Sequence, residues 1–327
     1  MPTLSILDFA HIFEGETPAT SYKRSVALAQ HAEALGYERI WYAEHHNMKS
    51  IASSAPAVLI SHVGAHTNTI RLGSGGVMLP NHSPLTVAEQ FGTLAELYPN
   101  RIDLGLGRAP GTDMKTLKAL RRDSSNAEHF PQDVRELQGY LGNKTFIPGV
   151  EATPGKNTNV PLYILGSSLF GASLAAMLGL PYAFASHFAP THLEEAIQLY
   201  RNRFEPSEQL AEPYVIAAVN VIAADTNDDA EAQLEKAKRA RVKNMVGRGR
   251  DYTAAEIDML MNSAQGRQIL SMLRYTAAGT PADAKDYLLR FANNVEANEL
   301  MLSPLSPSED GVHRTLELVA EQLIAQN

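Results

Sequence analysis

The chain has 327 residues, of which 44% are hydrophobic, enough apolar side chains for a large buried core. Its formal net charge of −8 argues against binding to nucleic acids or to anionic membranes, which both favour basic surfaces. The absence of cysteine excludes disulfides, thiolate metal sites and cysteine nucleophiles, so any redox chemistry requires a bound cofactor.

Short β-rich segments alternate with helical segments along almost the whole chain. Strands are predicted at 3–8, 38–43, 70–78, 101–106, 161–166, 182–186, 214–223 and 298–303. Helices are predicted at 20–35, 55–66, 84–97, 168–179, 190–203, 281–293 and 311–326. Eight such units without a break in composition favour a (β/α)8 TIM barrel of one domain, residues 1–327, over an open doubly wound sheet. No signal-peptide pattern or apolar stretch of spanning length occurs, so we expect a cytoplasmic protein that binds no membrane.

Two connections are longer than a plain barrel requires, one after the fourth strand and one after the seventh. Residues 107–160 contain a helical part followed by a segment rich in Gly, Pro and Asn, and residues 224–280 are rich in Ala, Lys, Arg and Met. Insertions of this kind are typical of lids or extra helices near a site. The basic run "EKAKRARVKNMVGRGRD" at 235–251 is more typical of a solvated helix face than of a binding surface.

Polar side chains follow several of the predicted strands. In a TIM barrel the loops after the carboxyl ends of the strands carry the active site. Here these loops contain His11, the segment "EHHN" at 44–47, His82, Arg108 and His187. We therefore expect a polar site on this rim of the barrel.

Glu44, His45 and His46 directly follow the second strand. A catalytic zinc site needs three convergent ligands, whereas consecutive residues at a strand end diverge, and the chain has no HExxH motif. A metal site is therefore not expected. Two interpretations remain: a histidine hydrogen-bonded to a carbonyl in the core, or a histidine that enters the barrel mouth as an acid or base while its neighbour anchors the loop.

Glycines mark two further strands. "LGLGRAPG" at 104–111 is a weak dinucleotide fingerprint, because its glycines are spaced G-x-G-x-x-x-G and Pro110 interrupts any immediate helix. Its glycines either form a plain turn or leave room for a flat ligand whose anionic group faces Arg108. Gly75 and Gly76 interrupt the third strand, which indicates a bulge, a strained bond or a close approach to a ligand.

Ser167 and Ser168 precede a predicted helix that ends near Gly179 and Pro181. The free N–H groups and the positive dipole end at the start of such a helix suit a phosphate. The alternative is a pair of ordinary capping serines.

Four segments, taken in this order, resemble the bacterial-luciferase-like flavin monooxygenase family, and in particular its alkanal-monooxygenase-like branch. They are "WYAEHHN", "LGSGGVMLPNHSPLTVAEQFGTL", "RIDLGLGRAPG" and "LGSSLFGASLAAMLGLPYAFASHF". The resemblance implies a TIM barrel that uses O2 and reduced FMN from a separate flavin reductase to oxidise an aldehyde-like or other small organic substrate, and a homodimer. The alternatives are an F420-dependent oxidoreductase on the same fold, a non-catalytic flavin-binding protein and a metal-dependent hydrolase.

The resemblance also implies roles for individual residues. His45 corresponds to the catalytic histidine, with Glu44 and His46 beside it, and Gly75-Gly76 corresponds to a non-proline cis peptide under the flavin ring. Arg108 corresponds to the arginine that pairs with the flavin phosphate. The implied cofactor-binding residues are Gly75, Gly76, Gly107, Arg108, Gly166, Ser167 and Ser168.

Two positions depart from the light-emitting subunit of that family. Gly107 stands where that subunit has a cysteine, and Ser167 stands where it has a glutamate. Both departures put light emission in doubt but do not weaken flavin binding. Residues 224–280 show no clear match to the mobile loop of that subunit, so the resemblance does not define the substrate pocket.

Overall fold

Parallel strands close into a barrel, and helices pack around its outside. The computed structural model describes residues 1–109, 112–247, 250 and 252–325. Its strands are β1 (Thr3–Asp8), β2 (Arg39–Tyr42), β3 (Arg71–Met78), β4 (Ile102–Gly107), β5 (Leu162–Gly166), β6 (Tyr182–Phe184), β7 (Val215–Ala223), β8 (Thr276–Gly279) and β9 (Glu299–Pro304). Its helices are α1 (Pro18–Leu35), α2 (Pro56–Gly64), α3 (Pro84–Leu97), α4 (Met114–Ala119), α5 (Phe130–Leu141), α6 (Leu169–Leu178), α7 (Leu193–Arg203), α8 (Asn227–Gly247), α9 (Ala254–Asn262), α10 (Ala264–Ser271), α11 (Pro281–Asn294) and α12 (Glu309–Leu323).

The strand pairing closes a ring. β1 pairs in parallel with both β2 and β9, and β6 pairs with β7, so the ring runs β1-β2-β3-β4-β5-β6-β7-β9. The short β8 extends the sheet beside the carboxyl end of β7. The eight-stranded ring with helices outside it confirms the predicted (β/α)8 barrel.

The predicted elements match the observed ones to within three residues at each end, and the differences lie in the insertions. The first insertion contains α4 and α5, and the second contains α8, α9, α10 and β8. The sequence did not predict β8, because its four residues, "TAAG", show neither alternation nor β-branched enrichment beyond Thr276. No helix in the described part of the chain is both long and apolar enough to cross a membrane.

Proline and glycine mark the ends of several helices. Pro18, Pro84 and Pro281 occupy the first turns of α1, α3 and α11, where a missing N–H costs nothing. Gly36 and Gly179 follow α1 and α6 with φ values of 82° and 60°, the left-handed conformation that ends a helix. These signals explain why the helix positions were predictable from the sequence.

The two faces of each strand face two different apolar layers. Residues such as Ile6, Ile40 and Leu104 belong to the layer between the strands and the helices. Residues such as Leu7 and Trp41 belong to a smaller cluster inside the barrel. This alternation follows from the two-residue period of a strand, and it brings the interior side chains to the floor of any site at the barrel mouth.

Buried charges fill the amino-terminal end of the barrel. The guanidinium of Arg39 donates through Nε to Glu299 Oε1 at 2.9 Å and through Nη1 to Asp103 Oδ2 at 2.7 Å. Arg71 pairs with the other oxygen of Asp103, and Tyr214 donates to the other oxygen of Glu299 at 2.8 Å. Charges are stable inside a barrel only when they are paired, so this network fills the amino-terminal end of the barrel with mutually paired side chains. The opposite, carboxyl end of the barrel is the end that carries a cavity.

Candidate active site

A cavity of about 1350 Å³ opens at the carboxyl ends of the strands. Its floor includes Leu7 and Trp41 from the barrel interior, and its walls come from the loops after most of the strands and from α8. Small-molecule pockets measure about 300–1,000 Å³, so this cavity has room for a cofactor and a substrate together. Of the predicted site residues, the structure brings together on this cavity His45, His46, Gly75, Gly107, Arg108, Gly166, Ser167 and Ser168.

Glu44 is fully buried and does not line the cavity. Its Oε1 accepts hydrogen bonds from Nε2 of His46 at 2.7 Å and of His82 at 2.8 Å, and its Oε2 accepts the N–H of Met78 at 3.0 Å. Burial alone would raise the pKa of this carboxyl, but the bonds from His46 and His82 outweigh it and lower the pKa to about 2. The resemblance placed Glu44 beside the implied catalytic histidine; in the structure its hydrogen bonds tie together the loops after β2 and β3.

His45 faces the cavity, on which Gly75 and Arg108 also lie. Its backbone N–H donates to the carbonyl of Ser53 at 3.0 Å, which fixes the loop, while its Nδ1 is buried without a hydrogen-bond partner. Burial, together with the neighbouring His11, lowers the pKa of the His45 imidazole. A neutral imidazole on a cavity wall can accept or return a proton.

Three histidines surround the ring of Phe9. The ring centroids of His11, His45 and His187 lie 5.3, 5.7 and 5.9 Å from that of Phe9. Burial, reinforced by the nearby Arg241 guanidinium, lowers the pKa of His187 to about 3.

In the described part of the chain, no three His, Asp or Glu side chains are arranged to hold a metal ion.

The peptide bond between Gly75 and Gly76 is cis, the conformation that the resemblance implied. A Cβ atom on Gly75 would lie 2.8 Å from Leu7 Cδ1 and 3.0 Å from Trp41 Cβ. A Cβ atom on Gly76 would lie 2.6 Å from the carbonyl oxygen of Gly105. Gly75 therefore contributes backbone to the cavity surface, whereas Gly76 packs against β4 and does not line the cavity.

The loops after β4 and β5 form a corner of the cavity that contains Arg108. Gly107 pairs with Leu165 in the sheet, which places Arg108 beside Gly166. The Arg108 guanidinium stacks over the ring of Phe170 at 4.1 Å and forms no ion pair with a described carboxylate. Ser168 is the N-cap of α6 without a capping hydrogen bond from its side chain. A cation, two hydroxyls and a helix N-terminus converge here, and all of them suit an anionic group.

The sequence missed one wall of the cavity. Six residues of α8 line it: Ala237, Ala240, Arg241, Lys243, Asn244 and Met245. All of them except Lys243 follow the spacing i, i+3, i+4, i+7 and i+8 of one helix face. The prediction that the basic run is a solvated helix face is thus wrong for this face, and the alternation of small and basic residues at this spacing was the available signal.

Comparison with known proteins places this barrel and cavity in a family. The model of the luciferase-like monooxygenase family matches residues 3–295. The chain belongs to this family. A luciferase-like monooxygenase of Escherichia coli K12 is 46% identical over 302 residues, with 91% of this chain and 90% of the relative covered. An N-acetyl-S-alkylcysteine monooxygenase of Bacillus subtilis is 33% identical over 345 residues, with 99% of each chain covered.

Solved structures of several other proteins share the fold. The crystal structure of apo-MsnO8 superposes with a TM-score of 0.88 at 35% identity, with 98% of each chain covered. The oxygenating constituent of 3,6-diketocamphane monooxygenase from Pseudomonas putida, in complex with FMN, has a TM-score of 0.76 at 14% identity, with 100% of this chain and 98% of that chain covered. An F420-dependent secondary alcohol dehydrogenase has a TM-score of 0.68 at 16% identity, with 100% and 99% covered.

Proposed function

We propose that this luciferase-like monooxygenase uses reduced FMN and O2 to oxidise an aldehyde-like or other small organic substrate. The observation that carries the proposal is the placement of His45, the Gly75 backbone and the Arg108 corner on one cavity. Membership of the monooxygenase family supports the reaction type. The complex of a fold neighbour with FMN supports the choice of cofactor.

The residues of the cavity fit FMN. The Arg108 corner, with Ser167, Ser168 and the start of α6, would hold its phosphate. Gly75, Gly107 and Gly166 present backbone rather than side chains to the cavity, which leaves room for a flat ring system. Reduced FMN, when bound, supplies the two electrons with which O2 delivers one oxygen atom to the substrate and the other to water.

His45 is the residue that we propose to move a proton at the reacting centre. Its imidazole, which lies on the cavity and has a lowered pKa, would accept or return the proton. Glu44 positions His45 indirectly, because its bonds to His46, His82 and Met78 fix the loop on which His45 lies. The apolar floor around Leu7 and Trp41 would exclude water from the reaction.

We propose that a separate flavin reductase supplies the reduced FMN. Support comes from "LGLGRAPG", whose Gly105 and Gly107 lie inside β4 rather than in a strand-to-helix turn that would bind a dinucleotide. We also propose a cytoplasmic homodimer in which residues 1–327 form one domain. The reaction of the Bacillus subtilis relative makes an S-alkyl thioether a second candidate substrate beside an aldehyde.

The proposal is tested by a coupled assay with NAD(P)H, a flavin reductase, FMN and O2, with long-chain aldehydes and S-alkyl thioethers as substrates. We expect turnover with FMN, and about a 10²–10⁴-fold lower rate for His45→Ala, the range of a lost acid–base group. Unchanged turnover in His45→Ala would remove His45 from the mechanism. No turnover with any substrate, despite FMN binding, would favour a non-catalytic flavin-binding protein.

A second candidate, an F420-dependent oxidoreductase, rests on the shared fold of the F420-dependent alcohol dehydrogenase. Titrating the protein with FMN and with F420 separates the two. A clear preference for F420 would overturn the monooxygenase proposal. Stoichiometric zinc or iron in the purified protein would instead support the alternative of a metal-dependent hydrolase.

A further inference from the structure

Arg241 is a cation on the cavity wall that pairs with no carboxylate in the described part of the chain. It lies on the face of α8 that lines the cavity. Its Nε is buried and has no hydrogen-bond partner, and none of the described carboxylates forms an ion pair with it. Arg239, two residues earlier on the same helix, pairs instead with Asp258. Arg241 is thus distinguished from its neighbour by facing the cavity without a counter-ion.

Arg241 is half-buried, and a partly desolvated cation without a partner is costly, because the water that it loses is not replaced by another polar group. By contrast, the buried Arg39 pairs with Asp103 and Glu299, and the half-buried Arg24 pairs with Glu16 at 2.6 Å. An arginine that lacks a partner in the free protein and faces a ligand cavity gains one when an anionic ligand binds.

The surroundings of Arg241 favour a small anionic group. His187 is 5% exposed, lines the same cavity and has a buried Nδ1 without a partner. Its backbone carbonyl accepts a hydrogen bond from Nδ2 of Asn220 at 2.8 Å, which fixes the loop that carries the imidazole. A guanidinium and an imidazole N–H on the same wall can bind the two oxygens of a carboxylate.

This wall is separate from the Arg108 corner. Arg108 follows β4, whereas α8 follows β7, three strands further along the ring. Arg241 acts electrostatically on His187, which follows β6, and on His11, which follows β1. Arg108 and Arg241 therefore lie on different walls of the cavity, and Arg108 holds the cofactor phosphate in the function proposed above.

We infer that Arg241 and His187 bind the carboxylate of the organic substrate. The inference rests on the proposed function for the reaction, and it names the substrate class as small organic acids. Met245, Met272 and Met301 also line the cavity, and their flexible, polarizable side chains suit an aliphatic or thioether body attached to that carboxylate. Uncharged long-chain aldehydes are then weaker ligands than acids of the same length.

Direct binding tests the inference without turnover. Isothermal titration calorimetry on the FMN-loaded protein compares octanoate with octanamide, and N-acetylmethionine with its carboxamide. We expect each acid to bind at least about tenfold more tightly than its amide, since charged hydrogen bonds carry the preference. Arg241→Gln is expected to weaken binding of the acids by about 10- to 100-fold and to remove the preference.

The controls separate this inference from the proposed function. Arg239→Gln, on the same helix but paired with Asp258, is expected to keep the acid preference. Arg241→Lys is expected to retain part of it, and the wild-type acid–amide comparison stands even if Arg241→Gln folds poorly. The FMN affinity of Arg241→Gln is expected to stay within about twofold of wild type, in line with the separate Arg108 corner.

Three results would overturn the inference: equal binding of acids and amides, no binding of any of the four probes, or a loss of FMN affinity in Arg241→Gln, which would assign Arg241 to the cofactor. Failure of the wild-type protein to bind FMN would overturn the proposed function instead. The same four probes titrated into the FMN-free protein would then decide the carboxylate subsite separately.

Discussion

Nε2 of His82, which follows β3, lies 2.8 Å from Oε1 of the buried Glu44, which follows β2. The same oxygen accepts the hydrogen bond of His46, so one carboxylate holds the loops of two neighbouring strands. His45 lies between Glu44 and His46 in the chain, and its orientation toward the cavity depends on this anchor. Loss of the hydrogen bonds of Glu44 should therefore affect both stability and activity.

Glu44→Gln should lower the free energy of unfolding by about 1–3 kcal/mol, because a neutral amide cannot accept all three hydrogen bonds and leaves buried donors unpaired. Urea denaturation measures this loss. Glu96→Gln, at an exposed position of α3, is the matched control and should change stability by less than about 0.5 kcal/mol. Equal stability of Glu44→Gln and wild type would show that the anchor is unimportant.

The low pKa of Glu44 predicts a specific dependence of stability on pH. The folded pKa of about 2 lies below the ordinary glutamate value of 4.5, so the native state favours the ionised carboxylate. The stabilisation is fully present above pH 4.5 and is lost as the pH falls from 4.5 toward 2. Urea denaturation at several pH values should show a steeper loss in wild type than in Glu44→Gln across this window. The same dependence of stability on pH in wild type and Glu44→Gln would contradict the low pKa of Glu44.

Gly75→Ala and Gly166→Ala form a matched pair of substitutions on the cavity. A Cβ on Gly75 would overlap Leu7 at 2.8 Å, whereas a Cβ on Gly166 has its nearest neighbours at 3.6 Å. Gly75→Ala should therefore destabilise the protein by about 1–3 kcal/mol through overpacking. Gly166→Ala should lower the stability by less than Gly75→Ala does. Thermal unfolding of the two variants measures the difference. Similar melting temperatures for both variants would contradict the packing at Gly75.

Substitutions of Arg39 and Arg314 compare the buried charge network at the amino-terminal end of the barrel with an exposed ion pair. Arg39→Met leaves the buried Asp103 and Glu299 without their cation and should cost about 3–5 kcal/mol. Arg314→Met breaks the exposed pair with Asp225 and should cost at most about 1 kcal/mol. Chemical denaturation of both variants compares these costs, and equal losses would show that the buried network does not stabilise the barrel.

Much of the fold was predictable because the eight barrel strands carry strong periodic and turn signals. The strand ends placed His45 and Arg108 on one rim for the same reason. The sequence could not show that Glu44 turns away from the cavity, since the face that a residue takes just after a strand depends on the loop that follows. Nor could it predict the pairing of Arg39 with Glu299, which are 260 positions apart.

Arg241 illustrates the remaining difficulty. Within a basic run, Arg239 and Arg241 look alike, but the rotation of α8 directs one toward Asp258 and the other toward the cavity. That rotation is fixed by how α8 packs against α9, α10 and β8 in the insertion, contacts between segments whose positions the strand pattern does not define.

The most direct test of the central claim, that the cavity binds FMN with its phosphate at Arg108, uses the fluorescence of Trp41. This is the chain's one tryptophan, and it lines the cavity floor. FMN should quench it saturably, riboflavin should bind about tenfold or more weakly for want of the phosphate, and Arg108→Gln should remove that difference. Equal affinity of wild type for FMN and riboflavin, or no quenching by either, would contradict the account.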